Sequence, residues 1–297
     1  MTIDFKDAAQ ADALAAKAQY RVSSFFARVP QAEEAACPWH LVSLAPAGTQ
    51  ERATVAWIVA DAVMRQRCGR SPAYDKWRSA ALAGMRLSGD EAQQVAVCVQ
   101  SVFGIPTNPS NAADHVPGYV GEWLWFLLTR EDDLQDREVA LLEPPSWNVT
   151  EGGADGFVVH RLTGGTDMSL LFRLWELKKF TGTGSVNATI TKAAKQLNDR
   201  GLEYLAKLCS VHADKPGDLG ELMSQLTQLW SQADPRGGVG VSVSTNAASV
   251  PKKEAFTQLS AHLPQLRHPG QLQGVIVAVE DFAAFADLVK EYLWSAL

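Results

Sequence analysis

Between Leu170 and Phe180 the sequence reads Leu-Leu-Phe-Arg-Leu-Trp-Glu-Leu-Lys-Lys-Phe. Side chains alternate faces in an extended strand. Leu170, Phe172, Leu174, Glu176 and Lys178 therefore share one face, and Leu171, Trp175 and Leu177 the other. A run that is apolar on both faces fits a strand covered on both sides, which predicts the central strand of a layered α/β domain. Glu176 and Lys178 sit inside that run. A carboxylate or ammonium is costly to bury unless something compensates it, and a divalent cation with a phosphate would do so.

The chain changes character near residue 112. Residues 1–112 read as a mostly helical N-terminal region. A small-residue segment runs from Asp7 to Ala18, and Cys37 to Leu44 has a short strand pattern. Glu51 to Arg67 carries Val55, Ile58, Val59, Ala62 and Val63 at helical spacing. Ser88-Gly89-Asp90-Glu91 opens another helix to about Phe103. Gly104 to Pro117, rich in proline and asparagine, reads as a linker or surface loop. Residues 113–297 alternate. Helices are predicted at Val120 to Thr129, Asn187 to Leu208, Lys253 to Leu266 and Phe282 to Trp294. Strands are predicted at Ser146 to Val149, Gly156 to Leu162, Leu170 to Phe180, Val239 to Ser244 and Val275 to Glu280. That order makes an α/β domain with helices flanking a sheet.

Several residues join Glu176 and Lys178 as candidates. Glu122 opens the very apolar helix at Val120, where an acid either complements the helix dipole or helps hold a metal. Asp155 lies in Gly152-Gly153-Ala154-Asp155-Gly156, either a simple turn or a place where glycines let a substrate approach the backbone. It precedes Glu176 by one strand and a turn, so neighbouring strands would bring the two acids together. Lys192, Gln196 and Arg200, each four apart, form one polar stripe on the long helix. The stripe is either a solvated face or a grip on a phosphate backbone. The glycine-rich loop from Thr181 to Ser185 lacks the Gly-Lys-Ser/Thr ending of a P-loop. The six histidines show no ligand spacing; only His115, shortly before Glu122, is kept in reserve.

Glu122, Gly153-Ala154-Asp155-Gly156 and Trp175-Glu176-Leu177-Lys178, followed by a helix carrying Gln196, resemble the PD-(D/E)XK nuclease superfamily over roughly residues 117 to 245. The acidic half of the motif lacks the proline of the family's name. The layout is also similar to the HamA group, the nuclease subunits of Hachiman-type bacterial anti-phage systems. The resemblance implies a restriction-endonuclease-like core, a mixed central sheet flanked by helices, at residues 113–297. It implies a metal-dependent nuclease, DNA favoured, in anti-phage defence with a helicase partner. Mg²⁺ or Mn²⁺ would be held by Asp155, Glu176, the backbone carbonyl of Leu177 and Glu122. Lys178 would act on the attacking water or the phosphoryl oxygens. Lys192, Gln196 and Arg200 would bind substrate.

Other readings remain open. One is a catalytically silent relative that binds nucleic acid or protein, and another an interaction protein in which Glu176 and Lys178 form a structural ion pair. A hydrolase using paired carboxylates on a sugar has no use for the amine. Composition narrows the field. A net charge of −6 argues against nonspecific coating of nucleic acid and leaves room for a partner that supplies the grip. The absence of a membrane-length apolar run, of a secretion-signal pattern and of paired cysteines predicts a cytoplasmic protein without a membrane partner.

Overall fold

The computed structural model describes residues 6–31, 37–44, 49–109, 115–148, 154–163, 170–251 and 254–297. In chain order the elements begin with α1 (Lys6–Lys17), β1 (Phe26–Gln31), β2 (Trp39–Leu44), α2 (Thr49–Cys68), α3 (Ala73–Ala83) and α4 (Gly89–Phe103). The two-residue strands β3 (Gly104–Ile105) and β4 (Asn108–Pro109) precede α5 (His115–Arg130), β5 (Arg137–Leu142), β6 (Gly156–Leu162) and β7 (Leu170–Phe180). Then come α6 (Val186–His212), α7 (Gly217–Ser231), β8 (Gly237–Asn246), α8 (Thr257–His262), β9 (Leu272–Val279) and α9 (Phe282–Trp294).

The protein is mixed α/β. Seven strands form one sheet in the order β1-β2-β9-β8-β7-β6-β5. The four inner strands β2, β9, β8 and β7 run parallel to one another, and β1, β6 and β5 are antiparallel to their neighbours. β7 is an interior strand, as its two apolar faces require. The middle of the sheet, however, is β8, because β2 and β1 extend the sheet beyond β9.

Each face of the sheet has its own core. Trp175, Leu177 and Val158 belong to one that includes buried residues of α1 to α5 and α9. Phe157, Phe172 and Leu174 belong to the other, with Ile190, Leu197 and Tyr204 of α6, Leu222 and Leu226 of α7 and Leu259 of α8. Strands and helices from both sides of residue 112 share the sheet and the first of these cores.

Three expected elements differ. The stretch expected as a linker from Gly104 to Pro117 holds β3, β4 and the first residues of α5, so Glu122 lies two turns inside that helix rather than opening it. Residues 146–148 form no strand; the third strand of the antiparallel group is β5, earlier in the chain. Pro144 and Pro145 cannot donate to a ladder. The Ser146 carbonyl accepts instead from Tyr119 Oη at 3.0 Å, and the Trp147 carbonyl from Arg67 at 2.6 Å. The helix expected at Lys253 to Leu266 is the short α8, which stops before Leu263 because Pro264 disfavours helical backbone in the residue preceding it.

Candidate functional site

The site forms where two strands part. β6 pairs with β7 only as far as Gly156 opposite Trp175. β7 runs on to Phe180, paired there with β8 alone. Asp155, the residue before β6, fills the opened edge with its side chain. Its Oδ2 accepts the backbone N–H of Leu177 at 2.9 Å, so a carboxylate replaces the missing ladder partner of β7.

Lys178 bridges the two strand acids. Its ammonium lies 3.5 Å from Asp155 Oδ2 and forms a short ion pair with Glu176 Oε1. The Glu176 side chain is fully buried, and its Oε2 has no hydrogen-bond partner. Burial, then the negative charge of Asp155, pushes the Glu176 carboxyl above its ordinary range against the opposing pull of Lys178. Burial alone would lower the Lys178 ammonium, but Asp155 and Glu176 outweigh it and hold it protonated.

Helix α5 brings the third acid. A Cβ on Gly121 would come within 2.8 Å of Ser244 Oγ on β8, and one on Gly156 within 2.6 Å of the Trp125 ring. The helix therefore lies tight across β8 and β6 only because both positions are glycine. Glu122, between those two contacts, is half-buried. Its carboxyl is raised well above the ordinary value by burial first and by Asp155 next, with Lys178 opposing and Glu176 adding. Three carboxylates thus share one ammonium, and the cluster is short of positive charge.

The helix stripe divides. Gln196 Nε2 donates to Tyr204 Oη at 3.0 Å, and the exposed Arg200 lies over the Tyr204 ring at 5.0 Å while bonding Glu203 at 3.3 Å. Glu203, chiefly, raises the Arg200 guanidinium, and the charge of Glu176 contributes. Lys192 is exposed one turn earlier, with no ion pair to the acids among the described residues. His115 is exposed at the start of α5. Leu177 contributes its N–H, and Gly153 lies outside the described residues.

Sequence reasoning missed the floor of the cleft. A cavity of about 190 Å³ beside Asp155 is lined by Tyr204, Lys207, His212 and Glu143. His212 Nε2 lies 2.7 Å from Glu143 Oε1. Tyr204 and Leu208 carry the helical signal of a buried face. Nothing in the spacing of Lys207 or His212 announces that the same turns border Asp155. No His, Cys, Asp or Glu group of three or more is arranged to hold a metal ion among the described residues; Lys178 occupies the space between the strand acids. No family model, no curated protein and no solved structure matches the chain.

Proposed function

We propose that the chain is a metal-dependent nuclease that hydrolyses phosphodiester bonds, with DNA the favoured substrate, on a restriction-endonuclease-like core built from α5, β5 to β8 and α6. The observation that carries this reading is the convergence of Asp155, Glu176, Lys178 and Glu122 at the one edge where β7 outruns β6. The order helix (α5), three antiparallel strands, two helices (α6 and α7) and a parallel strand (β8) supports it.

By their chemistry, though not by their present arrangement around Lys178, the donors suit a Mg²⁺ or Mn²⁺ ion. All are hard oxygens. Glu176 Oε2 is buried without a partner, and two of the three carboxyls are raised by burial and mutual repulsion, a cost that a divalent cation would relieve. Asp155, Glu176, the Leu177 carbonyl and Glu122 would hold it. Such an ion would make a bound water more acidic and would supply positive charge for the phosphoryl oxygens.

The chain's own residues do the rest. The Leu177 N–H orients Asp155. Lys178, kept protonated by its two acids, would hold an attacking water or the developing negative charge on phosphorus-bound oxygen. Gln196 and Arg200, gathered on Tyr204, would steady the phosphate backbone. An effector role in bacterial anti-phage defence, with a DNA-translocating helicase as partner, completes the proposal.

A second reading has its own support. Lys178 already pairs with both strand acids, as a structural ion pair would, in a catalytically silent binding module of the same fold. One experiment separates them. Labelled DNA and RNA are incubated with the purified chain in Mg²⁺, Mn²⁺ or chelator, beside the Lys178→Met variant. Cleavage that needs both metal and Lys178 is expected. Intact substrate in every arm, with binding retained, would establish the silent reading.

A further inference from the structure

The lower half of the Trp175 face holds a second polar site, unrelated to the acids. On that face β8 presents Gly238 and Gly240 opposite Arg173 and Trp175, so β8 itself contributes no side chain there and the Trp175 ring lies over Gly240. α5 covers the face only as far as its C-terminal end. A cavity of about 250 Å³ remains, with Arg28, His40, Arg137, His160, Arg173 and Gln273 in its wall and Asp132 the one carboxylate among its lining residues. This is space for a phosphate-sized ion and several waters.

The charges in the wall do not balance. Arg28 pairs with Asp132 at 2.5 Å, and Arg137 forms a two-pronged pair with Asp136, its Nη2 at 2.6 Å. Arg173 has no carboxylate partner among the described residues. Its two terminal nitrogens bond neutral acceptors, Gln273 Oε1 and the Gly270 carbonyl, while its Nε is buried with no partner. Burial, and then repulsion from Arg137, lowers this guanidinium to about 10, with only the Cys37 thiol opposing. The neighbouring rings feel the same field. His160 is pushed down to about 4 by burial, then by Arg173 and Arg137, with Asp132 and Asp136 opposing. His40, lowered by burial and by Arg28, has a buried Nδ1 without a partner. Arg173 is half-buried, with its Nε shut off from water; a partly desolvated guanidinium without a counter-ion favours an anion, and unsatisfied donors around one cavity mark where that anion goes.

We propose that this cavity binds a phosphate group, as the free ion or as the terminal phosphate of a nucleotide, with Arg173 as its charge partner and His160 and His40 as neutral hydrogen-bonding groups. The site lies on the opposite face of β7 from Glu176 and does not depend on the nuclease reading.

Gln273→Glu provides the test, because it keeps the shape and places a carboxylate on Arg173. Binding is followed by calorimetry and thermal melts of the full chain. The probes are inorganic phosphate and deoxyadenosine monophosphate, with sodium chloride at matched ionic strength as reference. Wild type is expected to bind phosphate and to melt higher in it than in chloride. Gln273→Glu is expected to melt higher than wild type without any ligand and to lose about a hundredfold in phosphate affinity. Tighter binding of the nucleotide than of phosphate would identify a nucleotide as the source, and the reverse the free ion. Equal phosphate binding by wild type and Gln273→Glu, or no phosphate-specific effect on wild type, would overturn the proposal.

Discussion

At the scale of single residues, Asp155 and Lys178 would divide the labour of the proposed nuclease site. The carboxylate would supply charge that holds a cation, and the ammonium would act on water or on the phosphoryl oxygens. Lys178→Met should therefore lower cleavage by about a hundredfold to a thousandfold, the cost of removing one charge-stabilising donor, while metal affinity stays largely intact. Methionine keeps the apolar stem, so β7 should still pack. Asp155→Asn should lose metal affinity and cleavage together. Metal titration by calorimetry beside a cleavage assay checks both, and wild-type cleavage by Lys178→Met would reduce the lysine to a structural partner of Glu176. Glu176 and Lys178 were legible in the sequence because an acid and an amine inside a two-faced apolar strand demand compensation, and Asp155 because it stands among glycines one strand and a turn before Glu176. Lys207, His212 and Glu143 were not, since a cleft wall assembled from separate elements leaves no periodic trace.

At the scale of elements, the close passage of α5 over the sheet is what brings Glu122 to the strand acids. Gly156→Ala would drive a methyl group to within 2.6 Å of the Trp125 ring. It should cost about 1–3 kcal/mol, the usual penalty for overpacking, and lower activity as well, because the helix that must move carries Glu122. Gly118→Ala, on the same helix but with nothing within 4 Å of the added carbon, should instead stabilise by about 0.5–1 kcal/mol. Denaturant melts of the two variants decide the matter, and equal effects would dissociate the glycine at 156 from helix placement. Elements of strong pattern were read well: β6, β7 and α9 have the bounds their periodicity predicts. β1 and β5 escaped because they are edge strands with mixed exposure, and Phe26–Gln31 carries Arg28 and Pro30. The N-terminal strands could not be joined to β9 from sequence, since parallel pairing across more than two hundred residues has no local signature.

At the scale of the whole molecule, net charge and buried acids set how the protein responds to its surroundings. With a charge of −6, the isolated chain should grip DNA weakly, and cleavage should fall steeply between about 50 and 200 mM salt. Rates followed across that range, with and without a helicase partner, test this; salt-independent cleavage by the chain alone would remove the need for a partner. The pH response has a definite sign. Glu122 and Glu176 are raised above the ordinary carboxyl value of 4.5. In that interval the native state holds more protons than the unfolded one, so their contribution to stability falls as pH rises and levels off above the native values. His160, lowered from 6.5 to about 4, acts oppositely, adding stability as pH rises through that range and nothing further above it. Melts between pH 6.5 and 8 therefore isolate the acids from the histidine. Subtracting the same series for Glu176→Gln, the acid raised to about 8, cancels every group that Glu176 does not influence. The variant should melt about 2 °C or more above wild type at pH 8, with a smaller gap at pH 6, while its cleavage falls. Mg²⁺ should raise the wild-type midpoint more at pH 8 than at pH 6, because the carboxyls must lose their protons to bind it. A gap that shrinks toward pH 8, or a Mg²⁺ effect independent of pH, would mean that these acids are not the groups that receive the cation.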